Sequence, residues 1–431
     1  MINRQRAVSK LSNTGHSIRF QLAGLMLRPY KPLSRFYRTK INMCHKKTYY
    51  RNDCVINRCH ARLVNYQERA FLTMRNSARD CPHQYIERGS GTVKTEHFIA
   101  DPLIAWLYSA ARESHPYLFK LATQRHGTRL LAYLNYEAPL VARNASFHAT
   151  IAKLGIDESE CVVPFGRWPK LRDIFERQIR FWDVRPLPES STAASAPADS
   201  RVLFGRFSAH REVFVKEKFF SLNELVGKNK VGWQSCFGDG DWAIFRLTPE
   251  KYHHNHMPVS GAVVDVYEID GDFHSCNPSA TVRMVTPFSK NRRCVSVIDT
   301  DVEGGTQIGY VAMIEVVALM IGEIVQCYSD DGYGPAAPVE IGQFVRRGAV
   351  KSLFRPGSST VILLFQRERV VFDYDLVKNA RRRDVQSRFS HYFGECLVET
   401  DVAVRSSIAK SVTHVPSVVS VAKQFFQTEN L

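Results

Sequence analysis

Arg355-Pro356-Gly357-Ser358-Ser359-Thr360-Val361-Ile362-Leu363-Leu364-Phe365 runs from small hydroxyl residues straight into an apolar stretch with the look of a buried strand. A Gly-Ser-Ser-Thr segment is in most proteins only a turn, so its meaning depends on the rest of the chain. Other short β-rich runs are Val202 to Phe207, Ala243 to Leu247, Ala262 to Ile269, Val295 to Ile298 and Val311 to Val325, broken by Gly, Pro and Asn. Upstream, Pro186 to Pro197 is small, polar and proline-punctuated, which marks a boundary. Before that boundary a helical region begins at Asp101, with Pro102 at a first helical position and Leu103, Ile104, Leu107 and Ala111 on one face. Tyr117 to Leu131 follows as a second helical segment interrupted by Gly127, and Trp168 to Trp182 mixes Leu171, Phe175, Ile179 and Phe181 with basic residues. The expected fold is α+β, a helical N-terminal region followed by a mostly antiparallel β-rich domain. The expected division is a basic irregular segment at 1–82, a helical region at 83–186, a β-rich domain at 187–373 and a basic extension at 374–431.

The chain has 431 residues, 44% of them hydrophobic and 23% charged, which places it among globular proteins. A formal charge of +16 favours an anionic partner, nucleic acid or an acidic lipid surface. Residues 1–60 hold thirteen Lys or Arg against one acid, Asp53, a pattern of transit peptides, membrane-facing arms and RNA-binding tails. Leu22 to Leu27 is too short for a signal peptide. No uncharged apolar run of about 18 residues appears, so a spanning helix is not expected. Tyr310 to Val325 is the most apolar stretch, yet it carries Glu315 and Glu323 and reads as buried strand. Ten cysteines without a Cys-x-x-Cys pair suggest free thiols in a reducing compartment. Cys44, His45, Cys54, Cys59, His60, Cys81 and His83 fit no standard zinc spacing, so no metal is expected.

Three separated segments carry chemistry. Asp199 is the one acid in Ala196-Pro-Ala-Asp-Ser-Arg-Val202; His253, His254 and His256 crowd the block Arg246 to Pro258; Ser358 and Ser359 precede the apolar strand. An acid, histidines and a serine are the parts of a nucleophilic site, an orienting carboxylate, a base and a nucleophile. No Gly-x-Ser-x-Gly elbow is present, which argues against an ordinary α/β-hydrolase. Each part also has a plain reading: turn, helix cap, metal site or pH-sensitive loop.

Taken in order, these segments resemble the phosphatidylserine decarboxylase family. The resemblance rests on Ala196 to Ser200, Val215-Lys216 with Phe220-Ser221-Leu222, Arg246 to Pro258, Asn291-Arg292-Arg293 and Gly357 to Thr360, and covers roughly residues 100–370. Phe175 to Leu187, ending Val-Arg-Pro-Leu, is similar to the segment before the family's catalytic core. Ser200 and Glu217 replace usual glycines, and Lys251 stands where an acid is common. An extra serine leaves two positions for the reactive one. Counting from Phe354 gives Ser358, and counting back from the strand gives Ser359, which is preferred because a strand sets register better than a loop.

The resemblance implies decarboxylation of phosphatidylserine to phosphatidylethanolamine through a pyruvoyl Schiff base. The covalent pyruvoyl cofactor would derive from Ser359, with cleavage between Ser358 and Ser359 into chains 1–358 and 359–431. It also implies catalytic roles for Asp199, His253, His256 and Ser359. His256 would be the base, Asp199 its orienting partner, and His253 the group that returns a proton to the substrate carbon. Tyr252 is expected to pack. Arg246 could contact the substrate phosphate or serve as a salt bridge in the fold. The expected partners are an anionic phospholipid membrane and phosphatidylserine, with association of the two cleaved chains and a homodimer, and no nucleic acid. Each basic residue near such a surface would contribute on the order of 1 kcal/mol. The site of action is expected to be peripheral on the bacterial cytoplasmic membrane, with the mitochondrial inner membrane as alternative. A pyruvoyl decarboxylase of a soluble amino acid and an uncleaved lipid-binding relative are the competing readings.

Overall fold

The computed structural model describes residues 81–98, 101–133, 136, 151–152, 154–163, 171–207, 218–319, 323–355 and 359–412. Residues 1–80, with Cys44, His45, Cys54, Cys59 and His60, and also Gly357 and Ser358 lie outside these residues. The strands, in chain order, are β1 (Gln84–Glu87), β2 (Val93–Thr95), β3 (Ala193–Ser195), β4 (Ser200–Arg206), β5 (Asp241–Leu247), β6 (His254–His256), β7 (Gly261–Ile269) and β8 (Arg293–Asp299). They continue with β9 (Tyr310–Val316), β10 (Ile324–Ser329), β11 (Phe344–Val345), β12 (Val350–Phe354), β13 (Ser359–Phe365), β14 (Val370–Phe372), β15 (Thr400–Val402) and β16 (Ser407–Ser411). Ten of them form one sheet in the order β11-β7-β8-β9-β13-β5-β4-β15-β1-β2. Every pairing in it is antiparallel except that of β1 with β15. Two smaller sheets, β10-β12-β6 and β14-β16-β3, complete the β structure of the described residues. The fold is α+β and mostly antiparallel.

The apolar run after Ser359 is a central strand, paired on one side with β5 and on the other with β9. Its residues alternate between two cores. Val361, Leu363 and Phe365 join Phe245, Met313 and Val202, while Ile362 and Leu364 join Ile244, Trp242 and Ile314. Both faces are covered, so the strand needs no polar alternation. Each such side chain contributes about 1.5–3 kcal/mol by leaving water.

The helical region is α1 (Asp101–Trp106), continued as a helical stretch to Ser114, then α2 (Pro116–Thr123) and α3 (Arg125–Ala132). Ile104, Leu107, Tyr108 and Ala111 pack against Ala280, Met284 and Leu319. Leu103, expected on that face, points outward instead, and Tyr108 takes the inner position. Gly127 does not break its segment. A Cβ there would stand 1.8 Å from the Leu121 carbonyl oxygen, so only glycine lets α3 approach the end of α2.

Several expectations are corrected. Val311 to Val325 is not one strand. β9 ends at Val316, and β10 belongs to a different sheet. The stretch that mixes Leu171, Phe175, Ile179 and Phe181 with basic residues carries two short helices, Leu171–Phe175 and Phe181–Val184. Pro186 to Pro197, read as a boundary, is exposed or half-buried only as far as Thr192; Ala193, Ala194, Ser195 and Ala196 are buried and β3 pairs with β16. Residues 374–412 are not a trailing extension. β15 lies between β4 and β1, and β16 between β14 and β3. These strands are three to five residues long, too short for a period to show.

Arg246 on β5 ties the β1–β2–β15 side of the sheet to its centre. Its guanidinium meets Glu399 at 2.9 and 2.5 Å and Glu96 at 3.0 and 2.7 Å, and His83 bonds Glu399 at 2.7 Å. This is the salt-bridge role, not a phosphate contact, since the group is buried among its own carboxylates. His83, Glu96 and Glu399 are donors close enough for a metal ion, but Arg246 already supplies the positive charge between them. Burial pushes the Glu399 carboxyl up, and Arg246 and His83 outweigh it, holding it well below the usual carboxylate range. Arg246→Ala leaves Glu96 to Arg201 and Glu399 to His83 alone and is expected to cost about 3 kcal/mol, the low end for breaking a buried pair. Urea unfolding should show a lower midpoint at unchanged slope. A loss under about 1 kcal/mol would mean that the pairing does not hold the sheet together.

Candidate active site

β4 and β13 both run antiparallel to β5, so both begin where β5 ends. Arg201, Arg246 and Thr360 share one register level across the three strands. One step beyond it lies Ser359 opposite Leu247, and two steps beyond it, just ahead of β4, lies Asp199. With strands about 4.8 Å apart, β4 and β13 begin roughly 10 Å from each other. The histidine block leaves the same end of β5. Its strand β6 pairs with β12, His256 facing Val350 and His254 facing Leu353. The Phe354 amide donates to the His253 carbonyl at 3.0 Å. Phe354 is therefore anchored on the histidine block and Ser359 on β5.

His256 is fully buried. Its backbone amide donates to the Pro197 carbonyl at 2.8 Å, which brings it beside the Asp199 segment. Its Nδ1 lies 2.9 Å from the Gly348 carbonyl, an acceptor, so Nδ1 carries the proton and Nε2 is the basic nitrogen. Nε2 lies 3.1 Å from the Tyr252 hydroxyl, and Tyr252 lies 2.8 Å from the Tyr333 hydroxyl. Tyr333 in turn donates to the Ile179 carbonyl at 2.8 Å. Burial pulls the His256 imidazole down to about 4, the Gly348 carbonyl and the Asp199 charge working against it and Arg405 with it. His254 stacks on Tyr252 and falls to about 3 through burial and its histidine neighbours.

Asp199 does not touch the His256 ring through a hydrogen bond. Its carboxylate accepts from Arg185 at 3.1 and 3.0 Å and from the Val404 amide at 2.7 Å. Burial raises its pKa, and Arg185, Lys251 and the Val404 amide more than reverse this, so it stays ionised. Its bearing on His256 is that of a nearby fixed charge, and the orienting partner of the ring is the Gly348 carbonyl. Lys251, unusual in its place, forms an ion pair with Asp401 at 2.6 Å, and the Ser200 hydroxyl is satisfied by the Ala198 carbonyl at 3.0 Å.

Ser359 is fully buried, and its hydroxyl has no hydrogen-bond partner among the described residues. Its carbonyl accepts from the Cys276 thiol at 3.7 Å. His253 is buried with its ring edge-on to Phe175 at 5.3 Å. Ser358 lies outside the described residues.

Sequence reasoning did not assign roles to Arg185, Gly348, Tyr333 or a buried polar cluster under β6. In that cluster Lys351 pairs with Glu315 at 2.5 Å, and Ser352 and Asn255 join the same carboxylate. Arg185 lies in the Val-Arg-Pro-Leu motif, so a signal for it existed. Glu315 was visible as an acid in an apolar run, but its partner arrives from thirty-six residues on.

A buried acid, a neutral histidine and a strand-leading serine whose hydroxyl has no partner among the described residues lie towards one end of an antiparallel sheet, and these are the residue types from which nucleophilic sites are built. The phosphatidylserine decarboxylase family model matches residues 171–390, a little over half of the chain. A phosphatidylserine decarboxylase proenzyme of Chlamydia trachomatis is 29% identical over 294 residues, covering 68% of this chain and 90% of that protein. One from Fusobacterium nucleatum is 27% identical over 315 residues, covering 72% and 96%. One from Chlamydia muridarum is 33% identical over 233 residues, covering 53% and 70%. The chain belongs to the phosphatidylserine decarboxylase family.

The two neutral histidines make the fold acid-sensitive. The unfolded chain binds protons on them near 6.5, the folded chain only near about 4 and about 3. Stability is therefore fully present above about pH 6.5 and falls as pH drops towards 4, by about 1.4 kcal/mol per unit for each histidine. Denaturant unfolding at steps from pH 7.5 to 5 measures this. His254→Phe should remove about half of the slope, and an unchanged slope would contradict the burial of its charge-free form.

Proposed function

We propose that this chain performs the reaction of its family at the end of β5 where Ser359, the histidine block and Asp199 meet. The reaction removes the serine carboxylate of phosphatidylserine as carbon dioxide and leaves phosphatidylethanolamine. The observation that carries the site assignment is the buried Ser359 hydroxyl, without a partner among the described residues, at the head of β13 opposite Leu247, where β5 ends and the chain runs on to the histidine block.

Ser359 Oγ attacks the Ser358 carbonyl carbon; the peptide C–N bond breaks, leaving an ester and a free amine on Ser359. A neutral imidazole must take the hydroxyl proton, and His256 is neutral at working pH with Nε2 as its acceptor nitrogen. Asp199 stays charged and stabilises the imidazolium electrostatically. Elimination and hydrolysis at Ser359 then leave a pyruvoyl group at the head of the small chain. That group supplies the electron sink which loss of carbon dioxide requires. Burial of the Ser359 position fits it, because the ketone would be kept from bulk water. His253 is proposed to hold the proton that the substrate carbon takes up.

A membrane is the proposed source of substrate. Tyr117, Leu121 and Leu130 are 89%, 59% and 58% exposed on α2 and α3, interleaved with Lys120, Arg125 and Arg129. Apolar side chains among basic ones suit the head-group layer of an anionic bilayer. Among the described residues no helix is long and apolar enough to cross a membrane. The cellular membrane expected from the leader rests on residues outside those described.

Denaturing electrophoresis tests the site. Ser359→Ala should remain one chain, while His256→Ala and Asp199→Asn should cleave slowly, by about 10²-fold or more for loss of a base. His253→Ala should still cleave but lose decarboxylation of phosphatidylserine vesicles by a similar factor. A cleaved Ser359→Ala protein would overturn the assignment. Vesicle flotation tests the surface: the Tyr117→Ser/Leu121→Ser protein should bind anionic vesicles at least about tenfold more weakly, one buried apolar side chain alone being worth about 1.5 kcal/mol or more. Equal binding would remove α2 from the membrane-facing side.

A further inference from the structure

Cys276 lies in the connection from β7 to β8, next to helix Pro278–Thr281. Its Sγ is 3.7 Å from the carbonyl oxygen of Ser359, and both residues are buried, at 2% and 0% exposure. The connection is held independently of this contact. The Ser275 amide donates to the Tyr108 hydroxyl at 2.6 Å, the His274 amide donates to Asn291 Oδ1 at 2.7 Å, and Asn291 Nδ2 donates to the His274 and Val317 carbonyls at 2.8 Å. Asn277 Oδ1 accepts from the Ser279 amide at 2.7 Å and caps the short helix. The thiol is thus delivered to the head of β13 by a braced loop. Beside it stands the second, independent feature, the fully buried Ser359 hydroxyl without a partner among the described residues.

The carbonyl that Cys276 meets is not the one attacked in the first step, which belongs to Ser358. It is bonded to the α-carbon of Ser359, and it matters in the second. Once the ester has formed, a base removes the α-proton of Ser359, and the electron pair left behind delocalises onto this carbonyl oxygen. The Cβ–Oγ bond then breaks and the Ser358 carboxylate leaves, giving an enamine. Its imine tautomer takes up one water and releases one ammonia to give the ketone. A donor on the Ser359 oxygen is therefore worth more when that oxygen carries charge than before.

We infer that Cys276 is a catalytic residue of self-processing, its thiol stabilising the charge that develops on the Ser359 carbonyl oxygen during elimination. The inference rests on Ser359 being the residue that is converted. It assigns the thiol to the elimination step alone and leaves ester formation untouched.

The experiment follows the full chain after synthesis in a cell-free system, with Cys276→Ala, Cys276→Val and Cys276→Ser compared with the parent and with Ser359→Ala. Samples are taken with and without neutral hydroxylamine, which splits esters and not peptides. A thiol is a weak donor, so elimination in the Ala and Val proteins should slow by about tenfold, below the 10²–10³ of a strong oxyanion donor. Full-length chain that hydroxylamine splits to a small chain beginning with serine should accumulate, and Cys276→Ser should recover part of the rate. Cys276→Val keeps the apolar volume, and its unfolding temperature in a Ser359→Ala background should match that of Ser359→Ala alone. Normal processing of the Val protein, or slowing without a hydroxylamine-sensitive chain, would overturn the inference while leaving Ser359 in place. Cleavage of Ser359→Ala would instead remove the reading on which it rests.

Discussion

The antiparallel register of β4, β5 and β13 is the constraint on which the rest depends. It makes two strands start where their shared neighbour ends, and so brings Asp199, the histidine block and Ser359 to one end of the sheet from positions far apart in the chain. A slip of one residue would turn Val361, Leu363 and Phe365 out of one core and into the other. Two buried faces of different shape forbid that slip. Arg246 reinforces the register from the flank, binding carboxylates contributed by the ends of β2 and β15.

Around this frame the buried charges of Asp199 and Lys351 are paired. Asp199 keeps its charge against Arg185, and Lys351 against Glu315. The histidines of β6 have no such counter-charge in contact and stay neutral instead. A neutral imidazole with its Nδ1 proton committed to a carbonyl is prepared to accept a proton at the other nitrogen. The electrostatics of burial, rather than a direct carboxylate bond, set the state of His256.

The strand from Ser359 to Phe365 was legible because an unbroken apolar run after a hydroxyl turn has few other homes, and the histidine block because three such residues so close are unusual. The α+β class followed from the same patterns. What the sequence hid was long-range. The path from Val311 to Val325 looked continuous, yet it bends between sheets after Val316. The strands β15 and β16 are too brief to carry a period, and their place among earlier strands is decided by pairing partners some two hundred residues away. Asp199 was read as the orienting partner of His256, but Gly348 fills that place with a backbone carbonyl, which no side-chain pattern can announce. Arg246 stood in a conspicuous block and proved to serve the sheet, because a guanidinium with two buried carboxylates at hand has no reason to wait for a phosphate.

If the register of β13 presents Ser359 for conversion, the chain that begins there must carry a ketone in place of its amine. The intact mass of the small chain from purified wild-type protein measures this directly. The account predicts a species spanning Ser359 to Leu431, lighter than that peptide by one ammonia and resistant to Edman degradation. A small chain starting at Ser358, or a single unbroken polypeptide, would contradict it.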